Sequence, residues 1–114
     1  MEKTIFDSIL QGELPCKKVF EDEHVLAFED INPQAPVHIL VIPKKKITSI
    51  GEADQLSHEE AGHYFQSIGR IAKEVGLAKD GYRVVFNTGK HGQQTVNYIH
   101  AHILGGRQLK WPPG

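Results

Sequence analysis

The chain has a single cysteine, Cys16, among 114 residues. One thiol cannot close an internal disulfide, so a reducing compartment is the natural setting. Long apolar runs are missing too. The longest, Ile39 to Ile42, is far below the roughly 20 residues that cross a bilayer. The first residues, Met1-Glu2-Lys3-Thr4, lack the apolar core of a secretory signal, and the expected location is cytoplasmic. Neither charge sign dominates: 13 Lys+Arg against 14 Asp+Glu leave a formal net charge of -1. That balance offers no global field to nucleic acid or a membrane surface, so any anion site must be local. Repeats, linkers and low-complexity stretches are also absent. The length suits one hydrophobic core, and residues 1–114 read as one domain with an irregular tail over 105–114.

Against these absences, seven histidines are many for so short a chain. His24, His58 and His63 lie in polar, surface-like contexts. His38, His91, His100 and His102 lie in or near apolar runs or glycine turns and need structural context.

The pattern predicts a short helix from Thr4 to Leu10, with Thr4-x-x-Asp7 as its capping pair and Ile5, Phe6 and Ile9 facing inward. Two short apolar runs around Asp22-Glu23-His24 predict a β-hairpin. Pro33 and Pro36 mark a loop, and Val37 to Ile42 reads as a buried strand ended by Pro43. Lys44-Lys45-Lys46 has no aromatic or arginine company and reads as a solvated loop. Ser57-His58-Glu59-Glu60 is a second capping box. Behind it Ala61, Tyr64, Phe65, Ile68, Ile71, Ala72 and Val75 share one helix face, and Gly76 stops the helix. Strands are expected over Tyr82 to Asn87 and Tyr98 to Leu104. Five strands joined largely by short turns favour an antiparallel sheet, with the long helix on one face: an α+β fold of two layers.

The chemistry concentrates in Asn97-Tyr98-Ile99-His100-Ala101-His102-Ile103. On a strand, side chains alternate, so Ile99, Ala101 and Ile103 face the core while Tyr98, His100 and His102 share the other face. Two plain alternatives exist. The pair can be ordinary surface histidines, or His-x-His with His38 can ligate a metal. No cysteine or acidic residue close in sequence completes a metal set, so none is expected. A phosphate site has better support. The turn Gly92-Gln93-Gln94-Thr95 offers backbone N–H groups and the Thr95 hydroxyl, and Asn87 can donate an amide hydrogen bond.

The sequence resembles the histidine-triad (HIT) family, and within it the Hint branch of nucleoside phosphoramidate hydrolases. The likeness rests on ordered segments along nearly the whole chain. They include Phe20-Glu21-Asp22, Ala27-Phe28-Glu29-Asp30-Ile31, His38-Ile39-Leu40-Val41-Ile42-Pro43-Lys44, His100-Ala101-His102, Gly105-Gly106-Arg107 and Trp111-Pro112-Pro113-Gly114.

The resemblance implies a five-stranded HIT sheet paired across a homodimer and a purine nucleoside monophosphate pocket in each subunit. It implies hydrolysis of AMP-amine type phosphoramidates through a nucleotidyl-histidine. It assigns His100 as nucleophile, His102 as the phosphate-contacting partner that helps the leaving group depart, and His38 as the upstream member of the relay. Asp30 would bind ribose hydroxyls, and Ile5, Phe6, Ile9, Phe28 and Ile31 would hold the base. Asn87, Gln93 through its backbone, and Thr95 would cradle phosphate. Trp111 would approach the partner's site. No cofactor is implied. Other members carry a zinc-binding Cys-x-x-Cys where this chain has Thr4 and Asp7, so no structural zinc is expected. The family triad reads His-x-His-x-His, and Tyr98 stands at its first position. The family role of that position's main-chain carbonyl, receiving the nucleophile's N–H, survives the change, so an active enzyme with a slowed relay is expected. A nucleotide sensor without catalysis and a dinucleoside polyphosphate hydrolase are the alternatives.

Overall fold

Helix α1 (Ile5–Leu10) begins at the expected capping box. The Thr4 hydroxyl accepts from the N–H groups of Phe6 and Asp7, and the Asp7 carboxylate accepts the Thr4 N–H at 2.7 Å. Such reciprocal caps satisfy donors that a short helix cannot use internally. The computed structural model describes residues 2–114. Its further elements are β1 (Lys18–Glu21), β2 (Val25–Glu29), β3 (Val37–Pro43), a 3-10 turn (Ile50–Gln55), α2 (His58–Glu74), β4 (Tyr82–Val85) and β5 (Ala101–Gly105).

The five strands form one antiparallel sheet in the order β1-β2-β3-β5-β4. Its register sorts the side chains into two faces, because directly paired residues point the same way. One face carries Ala27, Val41, Ala101 and Ile103, all wholly buried. Helix α2 lies on this side, where the Tyr64 hydroxyl donates to the Val41 carbonyl at 2.7 Å. The other face carries Phe28, His38, Leu40 and His102: Phe28 pairs with Leu40, Leu40 with His102, and His38 with Leu104. Helix α1 covers part of this second face, with the Phe6 ring edge-on to Phe28 at 5.6 Å. The α+β architecture is the expected one.

Five details differ from the sequence expectation, the first being Ile5, which is 54% exposed at the start of α1 instead of facing inward with Phe6. Phe65 is 76% exposed instead of sharing the buried face of α2. It follows Tyr64 by about 100° of helix rotation, which puts it at the margin of the stripe formed by Tyr64, Ile68, Ile71 and Ala72. Strand β4 stops at Val85, short of Asn87, and β5 starts at Ala101. The chain ahead of β5 leaves the sheet, and the Ile99 N–H donates to the Ile47 carbonyl at 2.9 Å. Tyr98 consequently does not share an outward face with His100 and His102. It is fully buried, its hydroxyl donating to the Pro43 carbonyl at 2.6 Å. Finally, the three lysines of 44–46 are tied down. Lys44 pairs with Glu21, Lys45 with Glu60, and Lys46 with Asp7, the last largely shielded from solvent.

Candidate active site

Cross-strand pairing brings the histidines together. Residues 38 and 102 are diagonal neighbours on β3 and β5, and their rings meet with His38 Nε2 2.9 Å from His102 Nδ1. His100 precedes β5, its ring centroid 4.9 Å from that of His102 and 4.9 Å from that of Phe6. Asp30 lies just past β2, its Oδ2 3.4 Å from His38 Nε2.

Backbone groups fix where the protons sit. A carbonyl oxygen only accepts, so the 2.8 Å contact between His100 Nδ1 and the Tyr98 carbonyl places a proton on Nδ1. Nε2 of neutral His100 is then the nitrogen with a free lone pair. A backbone N–H only donates, so the Gln34 N–H, 3.0 Å from His38 Nδ1, requires that nitrogen to be bare. Neutral His38 then carries its proton on Nε2 and donates it to His102 Nδ1. His102 is left with its own proton on Nε2. One imidazole thus offers a lone pair and its neighbour offers an N–H.

Burial holds the three rings neutral. It lowers the pKa of His38 and His100, and the opposing pull of Asp30 on both, and of the Tyr98 carbonyl on His100, does not cancel it. His102 is pushed down to about 4, first by burial and then by the neighbouring His100 and His38. A neutral imidazole is the form a nucleophile requires.

The rings border a cavity of about 220 Å³. Ile5, Phe6, Ile9, Phe28, Asp30, Ile31, Thr95, His100 and His102 all line it, joined by Leu40, Val96 and Cys16. Its apolar rim is conspicuous: Ile31 is fully exposed and Ile5 is 54% exposed. An apolar slot beside a few convergent polar groups is the usual form of a small-molecule site. His38 lies behind the lining, against His102.

Three anticipated contact residues lie outside the lining. The Asn87 amide donates to the Gly92 carbonyl at 2.7 Å and shapes the 87–95 loop. In that loop Gly92 is required, because a Cβ there would meet the Thr88 carbonyl at 2.6 Å. Gln93 adopts a φ of 56° at the exposed tip. Trp111 is 79% exposed, with the Arg83 guanidinium 5.9 Å from its ring. Sequence reasoning missed Gln34, whose contribution is a main-chain N–H that no residue type announces.

Thr4 and Asp7 do not resemble a zinc thiolate pair. Both are committed to the α1 cap, and the Lys46 ammonium is 2.7 Å from Asp7 Oδ2. That cation, with the Thr4 hydrogen bonds, outweighs desolvation and lowers the Asp7 pKa.

An antiparallel five-stranded α+β sheet with paired imidazoles at an apolar slot defines the class, and sequence comparison agrees. The HIT domain pattern matches residues 11–109, and the chain belongs to the HIT domain family. It is 53% identical over 113 residues to a maize (Zea mays) protein named 14 kDa zinc-binding protein, covering 97% of this chain and 88% of that one. It is 50% identical to an uncharacterized HIT-like protein of Synechococcus elongatus, over 99% of this chain and 98% of the relative. The crystal structure of a HIT family hydrolase from Legionella pneumophila superposes with a TM-score of 0.93 at 46% identity, covering 98% of this chain and all of that one.

Proposed function

We propose that this protein hydrolyses purine nucleoside 5'-monophosphoramidates through a nucleotidyl-histidine. The observation that carries the reading is the proton pattern, a bare His100 Nε2 beside a protonated His102 Nε2 at one cavity wall. His100 Nε2 attacks phosphorus, the P–N bond breaks, and the departing amine takes up a proton. His102 supplies that proton. Its pKa is low in the free protein, and an anionic phosphoryl group placed against it favours the charged form and raises it. Water then cleaves the phosphorus–imidazole bond, its hydroxyl going to phosphorus and its proton back to His102, which regenerates both histidines. Ile5, Phe6, Ile9, Phe28 and Ile31 take the base, Asp30 the ribose hydroxyls, and Thr95 with the loop of Asn87 and Gln93 the phosphate.

The active unit is proposed to be a homodimer. β4 is a sheet edge whose Tyr82 and Val84 stay about two-fifths exposed, and Phe65 stands out from α2. Trp111 would then reach the partner's cavity. A nucleic-acid or membrane partner has no comparable support. Among the described residues no helix is long and apolar enough to cross a membrane.

A divalent-cation site is the second reading, because one ligand atom each from Asp30, His38 and His102 lie within 4.8 Å of one another. The Gln34 N–H opposes it. A metal on His38 Nε2 would move the ring proton to Nδ1, donor against donor.

The test is rapid quenching of the wild-type protein with an adenosine phosphoramidate, followed by peptide mass mapping. An adenylyl group on His100, with amine release and no loss of rate in EDTA, is expected. Turnover that persists near the wild-type rate in His100→Ala overturns the nucleophile. AMP binding without any amine release points to the sensor, and preference for dinucleoside polyphosphates points to the other hydrolase.

A further inference from the structure

We propose that Arg107 is a positioning residue: from the C-terminal tail it holds the Gln34 backbone so that the Gln34 N–H sets which nitrogen of His38 carries the ring proton. The tautomer inference stands on hydrogen-bond geometry alone, and only its effect on rate rests on the proposed function.

The Gln34 backbone is engaged on both sides. Its N–H donates to His38 Nδ1 at 3.0 Å, and its carbonyl accepts from the Arg107 guanidinium at 3.0 Å. The Gln34 side chain turns elsewhere, donating to the Asn32 carbonyl at 3.1 Å. The tail meets the same loop a second time, at Gly106. A Cβ on Gly106 would lie 2.9 Å from the Pro36 side chain, and its φ of +91° is one that L side chains rarely adopt. The route from tail to cavity is therefore continuous. It runs from Arg107 to Gln34, from Gln34 to His38, from His38 to His102, and from His102 to the cavity wall.

Two groups face Nε2 of His38. His102 Nδ1, at 2.9 Å, donates or accepts according to its own tautomer. The Asp30 carboxylate, 3.4 Å away and able only to accept, favours a proton on Nε2 alongside the Gln34 N–H. His100 touches His102 and not His38. Among the described residues the Gln34 N–H alone addresses Nδ1. Without it nothing excludes a proton from Nδ1 and only Asp30 favours Nε2, so the neutral ring can populate both tautomers, and in the Nδ1–H form Nε2 has nothing to donate to His102.

Long-range proton–nitrogen correlation spectra of the ligand-free, full-length protein read the tautomer directly. Wild type is expected to show His38 protonated at Nε2, and Gln34→Ala, which keeps the backbone N–H, to show the same. Gln34→Pro deletes the donor, and Arg107→Met deletes its anchor while keeping the side-chain stem. Both are expected to shift His38 toward a mixture of tautomers, with Arg107→Lys restoring most of the wild-type signal. Turnover of an adenosine phosphoramidate by Arg107→Met should fall by about fivefold in kcat with little change in KM, the scale of one hydrogen bond. Wild-type His38 signals in both Gln34→Pro and Arg107→Met overturn the proposal. A tautomer that shifts in Gln34→Pro and stays fixed in Arg107→Met overturns the role of Arg107. A shift in both with unchanged turnover upholds the tautomer assignment and removes His38 from the proposed reaction. If Gln34→Pro does not fold, Arg107→Met decides alone.

Discussion

The Tyr98 hydroxyl donates to the Pro43 carbonyl at 2.6 Å, on the far side of its ring from the carbonyl that receives His100. One residue thus ties the segment before β5 to the end of β3 with its side chain and orients the candidate nucleophile with its main chain. The ring is fully buried, edge-on to Phe6 at 6.0 Å, with the Lys46 ammonium 5.7 Å from its centroid. Burial raises the pKa of the phenol above its ordinary 10, so it is a protonated donor at neutral pH.

Tyr98→Phe keeps the ring and removes the donor. The cost is the desolvation of a carbonyl left with a poorer partner, about 1–3 kcal/mol of stability. Chemical denaturation should show that loss. Phosphoramidate turnover should change far less, because the main-chain carbonyl that holds His100 stays. A collapse of turnover with intact stability would show that the phenol takes part in the chemistry.

Phe6 joins α1 to the site, packing on Phe28, Tyr98 and His100 while only 3% exposed. Phe6→Ala should cost about 3–5 kcal/mol, the range for emptying a buried aromatic position. It should also weaken AMP binding in calorimetry, since the same ring lines the cavity. Full stability with normal binding would refute the packing role.

Stability should fall with acid in a defined window. The folded pKa values of His38, His100 and His102 lie below the ordinary 6.5, and His102 is at about 4. Below pH 6.5 the unfolded chain binds protons that the folded chain refuses, so unfolding gains ground as pH drops. The contribution is complete above pH 6.5 and is lost as pH falls toward about 4. Asp7, lowered by Lys46 and Thr4 against its desolvation, adds stability that is present above its usual 3.8 and disappears further down. Thermal melts across pH 3 to 8 should trace this decline, and His102→Asn should flatten its upper part. A pH-independent melting temperature between 6.5 and 4 would refute neutral burial of the three rings.

Much of this was legible in the residue order because it depends on local chemistry. Both capping boxes, the hairpin and the long helix follow from hydroxyl, carboxylate and apolar positions within a few residues of one another. The His100–His102 pair was legible for the same reason, whereas the apolar rim residues, like the roles of both, came from the family resemblance. What escaped was set by tertiary placement. Strand alternation extended Tyr98 along β5, yet the chain bends away at Ile99 and buries the phenol under α1. Asp30 is remote from His102 in sequence, and only the β2-β3-β5 register reveals their proximity. Lys46 looked solvated because its partner, Asp7, lies 39 residues away.

The two groups that settle the ring protons, the Tyr98 carbonyl and the Gln34 N–H, belong to the main chain. Codon changes replace side chains and leave the main chain in place, apart from proline, which removes the N–H. The protonation pattern is therefore insulated from most mutations at the positions that create it. Position 34, exposed and with its side chain turned away, can drift widely in residue type while the imidazoles keep their assignments. A saturation library there should tolerate most residues and reject proline, so a chemically decisive position would look unconstrained in any count of residue types.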